Sequence, residues 1–153
     1  MIGTVRNIAY SHYNGSDLQY IIPEIYELQP ENSTIYIVSP WLNLTIDLIK
    51  PWDFESVKLI DLIKLKMGIG IETQVYISSK ADGDSTTKES IKIMDKNNIK
   101  YNIVKELHSK AIIGKYVFCK GSANISNSAL YRNKETVELY ETTDPLSELR
   151  SII

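Results

Sequence analysis

The chain has 153 residues, of which 43% are hydrophobic and 24% charged, a composition typical of a globular protein rather than a disordered or fibrous one. Its formal net charge of −2 argues against indiscriminate nucleic-acid binding through bulk positive charge. One cysteine excludes an internal disulfide framework and a multi-cysteine zinc site, and two histidines leave little material for a histidine-rich metal centre.

Hydrophobic patterning predicts helices and strands in alternation. In the first half we expect a helix at 17–28 with Pro23 as a kink or start, a buried strand at 35–38, a short helical turn at 44–49, a helix at 54–67, a strand at 74–78 and a helix body at 90–97 that Thr86 or Thr87 caps. In the second half we expect strands at 101–104, 109–114, 116–119 and 136–140, a tight turn at 114–115, a short helix capped by Ser126 or Asn127, and a last helix starting at Asp144 or Pro145.

This order of elements predicts the fold class. Helices connect the strands of the first half, which favours parallel pairing, whereas the closely spaced strands of the second half favour antiparallel pairing. We therefore expect an α/β fold with a mixed β-sheet flanked by helices on both faces. The length predicts a single domain over residues 1–153. No stretch resembles a membrane span or a signal peptide, so we expect a cytoplasmic protein without a membrane partner.

Positive charge is concentrated in one window of the chain. Between residues 100 and 134 there are seven basic residues and one acidic residue, so this window carries +6 and the remainder carries −8. An acidic body with one basic region indicates a localised anionic partner. Lysines on the solvated faces of strands would produce the same pattern.

The same window contains several side chains of reactive types. His108 and Lys110 are two residues apart, so on an extended strand both would point to one face of the sheet. Ser122 and Asn124 repeat this spacing, and Glu135 follows the predicted short helix.

These types suit the chemistry of a phosphodiester. A neutral imidazole is a nucleophile or a base near pH 7. Lysine, hydroxyl and amide donors can hold the non-bridging oxygens, and a carboxylate can orient the imidazole. Gly121 would let a ligand approach the backbone. Fixed cations and donors can stabilise the developing charge, so no metal or cofactor is expected.

The segments H-S-K (108–110), G-S-A-N (121–124) and N-K-E (133–135) resemble the motif of the phospholipase D superfamily, H-x-K followed by G-S-x-N and a downstream Glu. IYIVSPW (35–41) is similar to the first core strand of that family, and VYISSKADGD (75–84) to its second strand and loop. The resemblance implies an α-β-α sandwich. One position departs from the motif, because Lys115 stands where the family usually has Asp.

The resemblance also implies a mechanism. Family members use two H-x-K motifs that face each other, and this sequence has one, since His12 is followed by Tyr13 and Asn14. We therefore expect a homodimer with one composite active site. His108 of one subunit would attack phosphorus and form a phosphohistidine, while the partner's His108 would protonate the leaving oxygen and later activate water.

The remaining site residues take their roles from the same resemblance. Lys110, Ser122 and Asn124 would bind the phosphoryl oxygens, and Glu135 would hold the His108 ring; Glu138, a nearby alternative, shares no motif. The basic residues expected to contact nucleic acid are Lys105, Lys115, Lys120, Arg132 and Lys134.

The resulting hypothesis is a metal-independent, homodimeric endonuclease, with DNA favoured over RNA as its substrate. Two alternatives remain open: a catalytically degenerate member that binds nucleic acid or protein, and a hydrolase of phospholipids or small phosphodiesters. Cys119 is interpreted as a packing residue rather than a nucleophile. For Trp41 and Trp52, packing in the core or in a dimer interface is favoured over base stacking.

Overall fold

The computed structural model describes residues 11–131 and 134–153, and at residues 11, 12 and 82 it describes the backbone only. In chain order the strands and helices are β1 (Ser11–Asn14), α1 (Leu18–Glu27), β2 (Ser33–Val38), β3 (Asp47–Ile49), β4 (Ser56–Lys58), α2 (Leu59–Met67), β5 (Ile71–Ser78), α3 (Ser85–Asn97), β6 (Lys100–Val104), β7 (Ala111–Ile113), β8 (Val117–Gly121), α4 (Asn127–Tyr131), β9 (Thr136–Glu141) and α5 (Pro145–Ile152). Within these described ranges, no helix is both long and apolar enough to cross a bilayer.

Seven strands form one mixed sheet in the order β1-β9-β8-β7-β2-β5-β6. β2, β5 and β6 run parallel to one another, and helices connect them. β7, β8, β9 and β1 pair antiparallel, and β7 joins this half of the sheet to β2. The predicted division into a parallel first half and an antiparallel second half is confirmed.

Both faces of the sheet are covered by helices, as predicted. Because side chains alternate along a strand, β2 sends Ile35 and Ile37 into one buried cluster and Val38 into another. The first cluster is completed by residues of α1, α2 and α3. The second cluster contains Leu149 of α5. The structure is thus an α/β sandwich of the expected class.

The segment 44–49, predicted as a helical turn, is instead extended and includes β3. Leu44, Ile46 and Leu48 are buried, whereas Thr45 and Asp47 between them are exposed, which is the two-residue period of a strand. β3 forms a separate two-stranded sheet with β4. The helix predicted over 54–67 therefore begins only at Leu59.

The capping residues of α4 and α5 agree with the predictions, whereas that of α3 differs. Asp84, not Thr86 or Thr87, caps α3, because its carboxylate accepts the Thr87 N–H at 3.0 Å. Ser126 caps α4 by accepting the Ala129 N–H at 3.2 Å. Asp144 caps α5 as predicted.

In the large sheet, β1 and β7 also differ from the sequence prediction. β1 was not predicted, and it is held by antiparallel pairing with β9 from the other end of the chain. β7 is shorter than the predicted strand 109–114, because only Ala111–Ile113 pair with β2. His108 and Lys110 therefore precede the strand instead of lying on it. The predicted turn at Gly114 is confirmed, since its N–H donates to the Val117 carbonyl at 2.8 Å.

The backbones of β8 and β9 approach each other closely at Gly121. A Cβ atom on Gly121 would lie 2.1 Å from the Thr136 carbonyl oxygen and 2.8 Å from the Val137 Cα atom. On the side where a side chain would lie, the neighbouring strand fills the space. Gly121 is nevertheless exposed, so the approach of a ligand to its backbone stays a prediction. Gly121 is needed for strand pairing.

Replacing Gly121 with alanine should lower the free energy of unfolding by about 3 kcal/mol, because the methyl group fits only if β8 separates from β9. Gly83→Ala is the matched control, since no atom lies within 4 Å of a Cβ built at Gly83. That variant should change the free energy by less than about 0.5 kcal/mol. Urea unfolding measures both, and equal stability of the two variants would contradict the close approach.

Candidate active site

Five of the sequence-predicted site residues, His108, Lys110, Ser122, Asn124 and Glu135, lie near strand ends at one edge of the large sheet. The register pairs Val38 at the end of β2 with Ala111 at the start of β7, and Ala111 with Lys120 near the end of β8. Gly121, at the end of β8, pairs with Val137 near the start of β9. We call this edge, marked by Ser39, Lys110, Gly121 and Thr136, the site edge.

His108 lies in the loop that connects β6 to β7. Glu106 turns the chain with a positive φ of 57°, and Leu107, which is 4% exposed, anchors the loop in the second buried cluster. The His108 side chain is exposed. Its loop is therefore short and held at both ends, by Leu107 and by the buried Ala111, while the imidazole remains open to solvent.

Lys110 connects the H-x-K segment to the G-S-A-N segment. Its ammonium group donates a hydrogen bond to the His108 carbonyl oxygen at 2.9 Å, and its own carbonyl oxygen accepts the Gly121 N–H at 3.2 Å. An ammonium group has three N–H donors, so two remain for a ligand. Lys110 can thus order the His108 loop and still contact an anion.

Ser122 is tied to the first residue of β9. Its N–H donates to the Thr136 carbonyl at 3.0 Å, and its Oγ accepts the Thr136 N–H at 3.1 Å. The side chain is exposed. The Ser122 hydroxyl also donates to the Thr136 carbonyl, but at 3.5 Å this bond is long, and a phosphoryl oxygen at a normal hydrogen-bond distance can replace it as the acceptor.

Asn124 is positioned by a serine to which the sequence analysis assigned no role. Ser39 is 1% exposed; its hydroxyl donates to the Trp41 carbonyl at 2.5 Å and accepts the Ile125 N–H at 3.0 Å. The Asn124 Oδ1 atom accepts the Trp41 N–H at 3.2 Å. The carbonyl side of the amide is thus engaged, and its NH₂ group is the donor that can serve a ligand. The sequence signal was a serine that directly follows a buried strand and precedes proline.

Glu135 and Asn124 share one cavity. The cavity has a volume of about 450 Å³, and Trp41 and Asp84 also line it. Gly15 holds the backbone of Glu135, because the Gly15 N–H donates to the Glu135 carbonyl at 2.8 Å.

Within one chain, the candidate residues form two groups on the site edge. Asn124 and Glu135 line the cavity, whereas Lys110 and His108 are joined to each other beside Gly121. The described residues include no hydrogen bond between Glu135 and His108, and neither His108 nor Lys110 lines the cavity in the part of the chain that the structure describes. Asn133 of the third motif segment lies outside the described residues.

The predicted nucleic-acid contacts fall at both ends of the sheet. Lys105 directly follows β6, and Lys134 lies two residues before β9, so both exposed lysines are at the site edge. Lys120 lies on β8 with its ammonium 5.1 Å from the Tyr140 ring centroid. Arg132 lies outside the described residues.

Lys115, the departure from the family motif, is located away from the site edge. It lies in the exposed turn between β7 and β8, and its N–H donates to the Gln29 side chain at 3.0 Å. Lys110 precedes β7 and Lys115 follows it, so about 15 Å of extended chain separates them. Lys115 thus displaces none of the groups described at the site edge.

Other candidate side chains are excluded from the chemistry or reassigned. Cys119 is 2% exposed, which confirms its packing role. Burial also raises the pKa of its thiol to about 12, so the thiolate that a nucleophile requires does not form near neutral pH. Trp41 and Trp52 are 52% and 48% exposed, so neither packs in the core of this chain, and packing in a dimer interface stays a prediction. Among the side chains that the structure describes, which do not include those of His12 and Asp82, no three His, Cys, Asp or Glu residues are grouped to hold a metal ion.

The fold is shared with solved proteins of low sequence identity. It matches Nuc from Salmonella typhimurium, a phospholipase D family member, with a TM-score of 0.65 and 13% identity over 94% of this chain and 90% of that chain. NucT from Helicobacter pylori matches with a TM-score of 0.64 and 18% identity over 94% and 91%. TrmBL2, an archaeal chromatin protein with a novel mode of DNA binding, matches with a TM-score of 0.56 and 12% identity over 96% of this chain and 51% of its own. No family model and no curated protein matches the sequence.

Ser39→Ala should lower the free energy of unfolding by about 2 kcal/mol, because it removes the partner of the buried Ile125 N–H and of the Trp41 carbonyl. Ser151→Ala is the control, since Ser151 is exposed on α5 and its hydroxyl donates to the Glu148 carbonyl, at 2.8 Å, within the same helix. Its effect should stay below about 0.5 kcal/mol. Thermal and urea unfolding compare the two, and a Ser39→Ala protein as stable as the control would refute the anchoring role.

Proposed function

We propose that this chain, which has the phospholipase D superfamily fold, is a metal-independent phosphodiesterase that cleaves nucleic acid as a homodimer. The observation that carries the proposal is the meeting of the H-x-K and G-S-x-N segments at the site edge. There the Gly121 N–H is bonded to the Lys110 carbonyl at 3.2 Å. An exposed imidazole, an ammonium, a hydroxyl and an amide then belong to one surface.

Each group has a role in a two-step displacement. A nitrogen of His108 attacks phosphorus, and the bond from phosphorus to the leaving oxygen breaks as the partner's His108 gives that oxygen a proton. Water then attacks the phosphohistidine, the partner's His108 takes a proton from it, and the phosphorus–nitrogen bond breaks. The intermediate divides one difficult displacement into two easier ones.

Lys110, Ser122 and Asn124 supply the donors for the non-bridging oxygens in this scheme. Charge builds on those oxygens in the transition state, and donors fixed by the fold need no reorganisation to stabilise it. Loss of one such donor typically costs about 10²–10³ in rate. Glu135 is assigned to orient the imidazole, a contact that the second subunit would complete.

The homodimer follows from the number of histidines. The mechanism needs two imidazoles of different protonation state at one phosphate, and each chain has one H-x-K segment. His108 is exposed at the site edge, where a second chain could reach it. A twofold axis through this edge would place both His108 rings in one composite site.

Nucleic acid is the substrate that the charge distribution favours. Lys105 and Lys134 extend the positive surface on both sides of Lys110, and a dimer would double it. We propose DNA rather than RNA as the substrate because TrmBL2, a structural neighbour, is a DNA-binding protein. The distance of Lys115 from the site edge supports an active enzyme over a degenerate binder.

The protein should cleave single-stranded DNA in the presence of excess EDTA, and His108→Ala should reduce the rate by at least about 10³-fold. His12→Ala, which changes the only other histidine, is the matched control and should keep the wild-type rate. Cleavage of an end-labelled oligonucleotide measures the rate, with RNA and phospholipid vesicles assayed in parallel. Intact DNA at high enzyme concentration, or hydrolysis of phospholipid alone, would refute the nuclease.

Mixed dimers test the composite site. Wild-type and His108→Ala chains are unfolded, mixed in equal amounts and refolded together, so that chains pair at random. If one site needs both histidines, only dimers of two wild-type chains are active, and the activity should be roughly one quarter of the wild-type value.

A site complete within one chain would retain about one half of the activity in the same mixture, and this result would contradict the composite site. Mixing wild-type with His12→Ala chains is the control for refolding, and it should leave the activity unchanged.

A further inference from the structure

Trp41 is an exposed aromatic side chain beside the proposed catalytic groups. It lies three residues beyond the end of β2, is 52% exposed, and lines the same cavity of about 450 Å³ as Asn124 and Glu135. A large flat ring at the border of a phosphodiester site is suited to stacking on a nucleobase, because every base presents a π-face.

The backbone N–H and carbonyl groups of Trp41 and Leu42 are all hydrogen-bonded to side chains. The Trp41 N–H donates to Asn124 at 3.2 Å, and its carbonyl accepts the Ser39 hydroxyl at 2.5 Å. The Leu42 N–H donates to the Thr87 hydroxyl at 3.0 Å, and its carbonyl accepts the Ser90 hydroxyl at 3.1 Å. A ligand that stacks on Trp41 therefore meets a platform whose backbone is already ordered, which lowers the entropic cost of binding.

The charge of the cavity determines which part of a nucleotide can enter it. Asp84 and Glu135 line the cavity, and none of its described lining residues is a lysine or an arginine. Two carboxylates repel a phosphate, whereas the N–H groups on the pairing edge of an unpaired base, including the ring N–H of thymine, can donate hydrogen bonds to them. One oxygen of Asp84 already accepts the Thr87 hydroxyl at 2.5 Å, and the other is available. The other described lining residues are amides, hydroxyls and small or aliphatic side chains: Leu42, Asn43, Thr86, Ser126, Asn127, Ser128 and Ala129.

We infer that this cavity is a nucleobase subsite, in which Trp41 stacks on an unpaired base next to the phosphate held by Lys110, Ser122 and Asn124. The inference rests on the proposed function and adds a substrate class to it. In a duplex both faces of a base are covered by its neighbours, so a base must be unstacked to reach the indole. Single-stranded nucleic acid is therefore the preferred substrate.

Binding is measured in a His108→Asn background, so that the strand is not cleaved. Fluorescence anisotropy gives the Kd of two labelled twelve-residue strands, oligo-dT and a strand of abasic deoxyribose phosphates. Trp41→Ala should raise the Kd for oligo-dT roughly 5- to 100-fold and change that for the abasic strand less than about twofold. Trp41→Phe should retain most of the affinity, and Trp52→Ala, which removes the other exposed indole, should change neither Kd.

A second measurement keeps Trp41 in place. In the Trp52→Phe variant Trp41 is the sole tryptophan, and its fluorescence should be quenched by oligo-dT and not by the abasic strand. An equal effect of Trp41→Ala on both strands, no effect on either, or no binding of oligo-dT would overturn the subsite. Because these assays do not depend on cleavage, an inactive wild-type enzyme would refute the proposed function alone.

Discussion

The buried hydroxyl of Ser39 is the interaction on which the site depends. It donates to the Trp41 carbonyl and accepts the Ile125 N–H, and so joins the end of the central strand β2 to the segment that follows β8. These two segments are distant in sequence, and neither is regular at this point. The same contact places Asn124 beside the Trp41 N–H. One small side chain thereby couples the parallel half of the sheet to the G-S-A-N segment, and its burial makes any loss of its partners costly.

Local patterns were sufficient to predict most of the sheet, because β2, β5 and β7 are buried runs whose side chains identify them whatever they pair with. The G-S-A-N and H-x-K segments could likewise be located by their spacing. Local patterns do not show which strand pairs with another strand far along the chain. β1 depends on β9, and the alternation of Leu44, Ile46 and Leu48 was hidden by a helical interpretation of the same residues. Gly121 is a related case, since only the position of β9 shows why a side chain is excluded there.

The roles of Ser39 and Trp41 required the structure for another reason. A serine after a strand and a tryptophan after a proline are compatible with many environments, and their roles depend on contacts with residues some 80 positions later.

The net charge of −2 is a further example of a sequence feature that the structure clarifies. It argued against a polyanionic partner until the basic window was considered separately, and the structure then located two of its lysines, Lys105 and Lys134, on the site edge. Charge at one edge of the sheet bears on the proposed substrate more than the charge of the whole chain, and the proposed homodimer would double it.

In the proposed mechanism, His108 becomes covalently attached to phosphorus in the absence of a metal. The direct measurement is to mix the enzyme with a short DNA substrate in EDTA, stop the reaction within one turnover under alkaline conditions that preserve phosphohistidine, and analyse the peptides by mass spectrometry. The account predicts a nucleotide adduct on the peptide that contains His108, which appears before product and decays as product forms. Cleavage without an adduct on His108, or with an adduct on another residue, would contradict it.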